Sequence, residues 1–151
     1  MKGYTFKDYN TEHMARAIGM ALPISFKQSV EICSFIKNRE VSDAKKMLQK
    51  VAAKEMAVPF KRFNFDLGHK KKIGPARYPE KSSKEFIKLI ENVEANAQFK
   101  GMDTSNLVIK HISARRAGKS WHFGRKTRRR MKRTNVEIIV EEKAKSKEVK
   151  K

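Results

Sequence analysis

Apolar residues recur at three- and four-residue steps in three stretches of the chain and alternate or crowd together in three others, a pattern that predicts three helices and three strands. Residues 15–24 (ARAIGMALPI) place Ile18, Met20, Leu22 and Ile24 on one face and Ala17, Gly19, Ala21 and Pro23 on the other. That is the pattern of a strand whose small side chains admit a close neighbour, and Pro23 puts its end at a sheet edge. Ser25 with Gln28 three residues on has the form of a capping box, opening a helix to about Asn38 whose buried stripe holds Val30, Cys33, Phe35 and Ile36. A second helix begins at about Ser42 with Ala44, Met47, Leu48, Val51 and Ala52 in its stripe, and the short link between the two predicts an antiparallel pair. In the third, Ser82 and Glu85 form another capping box, Phe86, Leu89, Ile90, Val93 and Ala97 make the stripe, and Gly101 stands at the stop.

Two further runs close the pattern. LVIKHISA (residues 107–114) is rich in Val and Ile, and VEIIVE (136–141) sets Val136, Ile138 and Val140 opposite Glu137 and Glu141, which predicts a core face and a solvent face. The resulting fold class is α+β, with three helices packed on a small three-stranded antiparallel sheet. One domain is expected over residues 1–141, followed by a disordered Lys/Glu tail at 142–151.

Charge changes the picture between the last two strands. No acidic residue occurs between Asp103 and Glu137, while residues 115–133 (RRAGKSWHFGRKTRRRMKR) hold ten lysines and arginines. So dense a run of cations gains little from a core and needs an external anion, and a phosphate backbone is the densest available. Flanked by strands, the segment is expected to be the outer part of a long protruding basic β-hairpin spanning about 107–140, each half reaching roughly 50 Å if fully paired. Such a bare ribbon is marginal in water, so its tip is expected to order fully on a partner. The candidate RNA-binding residues here are Arg115, Arg116, Lys119, Lys126, Lys132 and Arg133, together with the triplet Arg128, Arg129 and Arg130. Trp121 and Phe123, between Gly118 and Gly124, have few apolar neighbours and are read as groups that stack on bases or enter a partner's pocket.

A second basic surface is expected in the connection 58–81, where Lys61, Arg62, Lys70, Lys71, Lys72 and Arg77 alternate with Phe60, Phe63, Phe65 and Tyr78. Any one of these aromatics is as well explained by anchoring the loop as by stacking on a base. The net charge of +20 points the whole chain toward a polyanionic partner. No apolar run is long enough to span a membrane, the start of the chain lacks a signal-peptide core, and Glu85, Glu91 and Glu94 spoil the third helix as a membrane-surface helix, so a cytoplasmic protein without membrane contact is expected. Cys33 is the single cysteine and the histidines lack ligand spacing, so neither a disulfide, a metal site nor a cofactor is expected. With no phosphate loop, nucleophile elbow or paired buried carboxylates, the chain does not read as an enzyme.

AVPFKRFN, GHKKKIGPARYPEKSSKEFIKLIENVEANAQFKGMD, LVIKHI and VEIIVEE together resemble the archaeal form of the large-subunit ribosomal protein L22 family, whose eukaryotic counterpart is called L17. The likeness runs from about Met14 to Glu142. It implies a structural protein, a monomer within the ribosome, that binds large-subunit (23S-type) rRNA, aids assembly, neighbours other large-subunit proteins and sends its hairpin to line the exit tunnel beside the nascent polypeptide. Phe123, Gly124 and Arg125 match the end of the family's tip pattern, whereas Ser120, Trp121 and His122 stand where Pro-Arg-Ala is usual. On composition alone, a free-standing nucleic-acid-binding module or RNA chaperone is the competing reading.

Overall fold

The computed structural model describes residues 4–143. Chain order is β1 (Met14–Leu22), α1 (Phe26–Ile36), α2 (Val41–Ala52), β2 (Val58–Pro59), β3 (His69–Lys70), β4 (Gly74–Arg77), α3 (Glu80–Phe99), β5 (Leu107–Arg116) and β6 (Thr134–Glu142), with one-turn 3-10 helices at Thr104–Asn106 and Gly124–Lys126. The last strand in sequence is central in space: the main sheet runs β1-β6-β5, antiparallel throughout. The α+β expectation holds, and a second small sheet, β2-β4-β3, occupies what the sequence presents as a loop. Its strands are two to four residues long, too short to leave a periodic signature.

On one sheet face Val136, Ile138 and Val140 meet Ile32, Leu48, Phe86, Ile90 and Val93, all nearly inaccessible to water. The expected stripe of α3 is buried in full, and Gly101, at φ +75°, ends that helix as anticipated. Met102 N–H reaches back to the Ala97 carbonyl at 3.1 Å, which satisfies one of the helix's last acceptors.

Four expectations need correction. The third helix starts at Glu80 behind Pro79 rather than at Ser82, so Ser82 lies buried inside it and donates from Oγ to Gln28 Oε1 at 3.1 Å, joining α3 to α1. That contact also takes Gln28 out of the supposed capping box, and Ser25, although it does stand at the N-cap, makes no side-chain cap bond. Ser25→Ala should therefore lower stability by less than about 0.5 kcal/mol in a urea melt, against the roughly 1 kcal/mol of a bonded cap. Second, α1 and α2 do not pack chiefly on each other: α1 lies on β5 and α2 on α3, where Lys45 bridges Glu91 at 3.3 Å and Glu94 at 3.2 Å.

In β1 the close neighbour that the small residues admit is α3, which covers Ala15 and Ala17, while Met20 and Ala21 are exposed. Its Ile18–Leu22 face is only partly covered because β1 is an edge strand, as Pro23 indicated. Finally, Glu137 is buried rather than on a solvent face, because residues 4–10 fold over the second face of the sheet. Glu142, expected to open the tail, instead belongs to β6, opposite Leu107; the rest of the expected tail, residues 144–151, lies outside the described residues.

Candidate nucleic-acid interface

Two buried carboxylates organise the basic surface from below. Glu31, on α1 and 1 % exposed, accepts the backbone N–H groups of Lys61, Arg62 and Phe63 at 3.0, 2.9 and 2.7 Å. Three consecutive amides on one carboxylate hold the loop in a fixed turn, with the Lys61 and Arg62 side chains outward. Phe60 is buried beneath and anchors the turn, Phe63 is half-buried with its edge toward Phe26 (centroids 6.1 Å apart), and Phe65 is 87 % exposed. The three aromatics thus divide between anchoring and display.

Glu137, on β6, accepts from the Thr5 amide and hydroxyl, from Ser113 Oγ at 2.9 Å and from the Arg115 guanidinium at 2.9 Å, and lies 3.0 Å from His111 Nε2. Burial pushes this carboxyl's pKa up, but the Thr5 amide, His111, Ser113 and Arg115 together outweigh it and hold the group below its ordinary value. Arg115 is therefore a residue of the body with an internal partner, which sets it apart from the other basic candidates of the arm.

The strand ladder stops at Arg116↔Thr134. Beyond it the two sides stay together through sparser bonds: Ala117 N–H to Arg133 O, Met131 N–H to Ser120 O and His122 N–H to Arg129 O. Gly124, at φ +63°, opens a turn in which Thr127 N–H donates back to its carbonyl. The hairpin expected over residues 107–140 is thus a strand pair, ten residues long on its β5 side, followed by a looser loop, because side chains that repel one another and lack a covering layer do not hold a ladder. Trp121 bridges Arg130, whose guanidinium carbon stands 4.3 Å from the indole ring, so this aromatic has a partner within the arm. Phe123, 87 % exposed, has none of the core around it.

At the base of the arm the two basic segments meet. An open cleft of about 520 Å³ is lined by Lys27, Arg77, Arg116, Lys119, Lys132 and Arg133, with Phe26, Phe60, Phe63 and Phe65 interleaved. Five of these six cations are expected from sequence. Lys27 and Phe26 are not, because nothing local marks the first turn of α1 as facing residues ninety positions away. That turn carries no acidic residue and no side-chain cap, so its dipole adds to the positive field. No carboxylate lines the cleft, and among the described residues none of its six cations lies within ion-pair distance of an acid. Lys70 on β3, with Lys71 and Lys72 in the turn after it, lies exposed on the neighbouring small sheet, Lys70 Nζ standing 5.7 Å from the Tyr78 ring. Lys126, Arg128 and Arg129 crowd the turn at the tip together with Arg125.

Residues 17–141 match the family described as ribosomal protein L22p/L17e. The chain belongs to this family. Proteins named large ribosomal subunit protein uL22 are similar to it over most of both lengths: 43 % identity in Methanoculleus marisnigri (87 % of this chain, 91 % of the relative). In Archaeoglobus fulgidus the identity is 38 % (91 % and 94 %), and in Staphylothermus marinus 38 % (92 % and 96 %). An L22p/L17e protein is a ribosomal protein and not an enzyme, its relatives here are archaeal, and its place is the cytoplasmic ribosome, among rRNA and other ribosomal proteins. The resemblance carried by the sequence motifs is thereby established for the body and both flanks of the arm.

Within this L22p/L17e chain, the reactive chemistry is correspondingly sparse. Cys33 is buried in the core, where burial pushes its thiol up to about 12, and the buried Glu31 and Glu137 are both saturated with internal donors.

Proposed function

We propose that the chain is a structural component of the large ribosomal subunit that binds 23S-type rRNA, aids folding of that RNA during assembly, and extends its hairpin along the polypeptide exit tunnel, where the tip meets the nascent chain. One observation carries the RNA-binding part: α1, the small sheet and the base of the arm bring six cations and no carboxylate to one cleft. Self-repulsion on such a surface costs stability in the isolated protein and is relieved when phosphates replace water and counterions. The loosely paired outer arm supports the tunnel assignment, since a slender ribbon fits between RNA helices where a domain would not. Its arginines offer planar, bidentate contacts to phosphates and stack on bases.

Neighbouring large-subunit proteins complete the set of partners, and the protein stands as a monomer among them. Sedimentation of cell lysate tests the assignment. The protein should co-migrate with large subunits and remain there after a high-salt wash, whereas recovery in the light fractions alone would remove it from the subunit. Crosslinks from the tip to a stalled nascent chain are expected at Phe123 and Arg125, and their absence, with crosslinks at the body intact, would confine the protein to the subunit's surface.

A further inference from the structure

The cleft at the base of the arm differs from the rest of the basic surface in one respect. At the tip, Arg125, Lys126, Arg128 and Arg129 line a hollow without any aromatic residue, which a phosphate backbone alone can satisfy. In the cleft, six cations surround a concave space with an aromatic wall, and Phe65, one of the lining rings, gives 87 % of its surface to water. An apolar ring so exposed, in a site with nothing apolar to cover it, lowers its hydration cost only when a ligand lies on it. Cations already flank the neighbouring rings: the Arg116 guanidinium is 5.1 Å from the Phe26 centroid, and Lys27 Nζ and the Arg62 guanidinium are 5.7 and 5.5 Å from that of Phe63. The Phe63 side of the wall is fixed, since Glu31 holds the backbone of residues 61–63 and Phe60 is seated in the core.

We propose that this cleft captures a single unpaired nucleotide of RNA, its base stacked on the wall of Phe65 and Phe63 and its flanking phosphates held by Arg77, Arg116 and Lys119. The proposal rests on the RNA-binding function above and narrows it. A duplex keeps its bases stacked internally and offers only a convex phosphate surface, so it engages the cations and leaves the rings unused. An acidic peptide likewise brings charge without a planar face. An extruded base supplies both requirements, and stacking on an aromatic side chain is worth about 1–3 kcal/mol per base. With the Phe63 backbone already fixed by Glu31, less ordering is left to be done when the nucleotide arrives.

Octauridylate, an RNA duplex of the same phosphate count and poly-glutamate are the probes, titrated against the full chain at two salt concentrations. Phe65→Leu is the first variant because Phe65 has no core to support; Phe63→Leu is the second, checked by its thermal melt. Each should weaken octauridylate binding by roughly 5- to 30-fold while leaving duplex affinity and both salt slopes unchanged. Arg116→Gln should weaken both RNAs and flatten both slopes. A 4-thiouridine-substituted octamer should photo-crosslink to the peptide carrying Phe63 and Phe65. Equal loss for both RNAs, no loss for either, crosslinks confined to residues 117–133, or a parallel loss for poly-glutamate would each overturn the nucleotide site while leaving general RNA binding intact. Failure of the unsubstituted chain to bind either RNA at low salt would remove the RNA-binding function itself.

Discussion

Glu137→Gln should destabilise the folded chain by about 3 kcal/mol at pH 7, the cost of removing one member of a buried ion pair and leaving its partner charged. Glutamine retains the shape but offers one acceptor oxygen in place of two charged ones to the Thr5 amide, the Ser113 hydroxyl, His111 and Arg115. Because Arg115 and His111 are partly exposed, water recovers some of the loss, which places the figure at the lower end for a buried pair. The pH dependence follows from the lowered carboxyl pKa. A group that binds its proton less readily folded than unfolded contributes stability above its unfolded value, ordinarily 4.5, and loses it as pH falls through the lower folded value. Urea melts should therefore show the full gap between the two proteins at pH 7 and a narrowing gap as acid is added below about 4.5. A gap that stayed constant down to complete protonation would mean that packing, not charge, holds residues 4–10 on the sheet.

Replacing Arg128, Arg129 and Arg130 together with Ala should reduce affinity for large-subunit rRNA by roughly 100-fold at about 0.1 M salt. Each cation that neutralises a phosphate on a single strand contributes about 0.7 to the slope of log affinity against log salt, so three of them carry about two decades. The salt slope should fall by about 2 in parallel. Loss of the Trp121–Arg130 contact loosens the arm as well, but the melting temperature of the body should barely change, since none of the three side chains touches the core. A drop of more than about 5 °C would instead reveal support for the domain, on the scale at which 1 kcal/mol shifts a domain of this size. Near-wild-type rRNA affinity would show that the tip faces something other than RNA.

Much of this architecture is legible in the chain because its signals are local. Apolar residues at helical spacing mark α3 and its stripe, Gly101 marks its end, and the acid-free interval between two strand-like runs marks the arm, each within one continuous stretch of chain. Local signals fail where a distant segment supplies the missing partner. Glu137 alternates with apolar neighbours as a solvent-facing residue does, and only the N-terminal segment folding across the sheet converts that position into a buried ion-pair site. Ser82 and Gln28 have the spacing of caps and instead bond to each other across two helices.

The basic surface divides in the same way. Composition by itself pointed to a polyanionic partner and showed which two stretches carry the charge, because electrostatic sums do not depend on the path of the chain. Tertiary structure decided that Arg77 from the small sheet, Lys27 from the first helix and Arg116 from the arm share one cleft, and that Arg115 is paired inward. It also decided that Trp121 spends one face on Arg130. Those outcomes depend on which side of a strand each residue occupies and on what packs beneath it, and a carboxylate thirty positions away, Glu31, sets the turn that displays Lys61 and Arg62. Chain sequence carries charge as a sum, whereas a binding site is charge at fixed distances, and only packing supplies the distances.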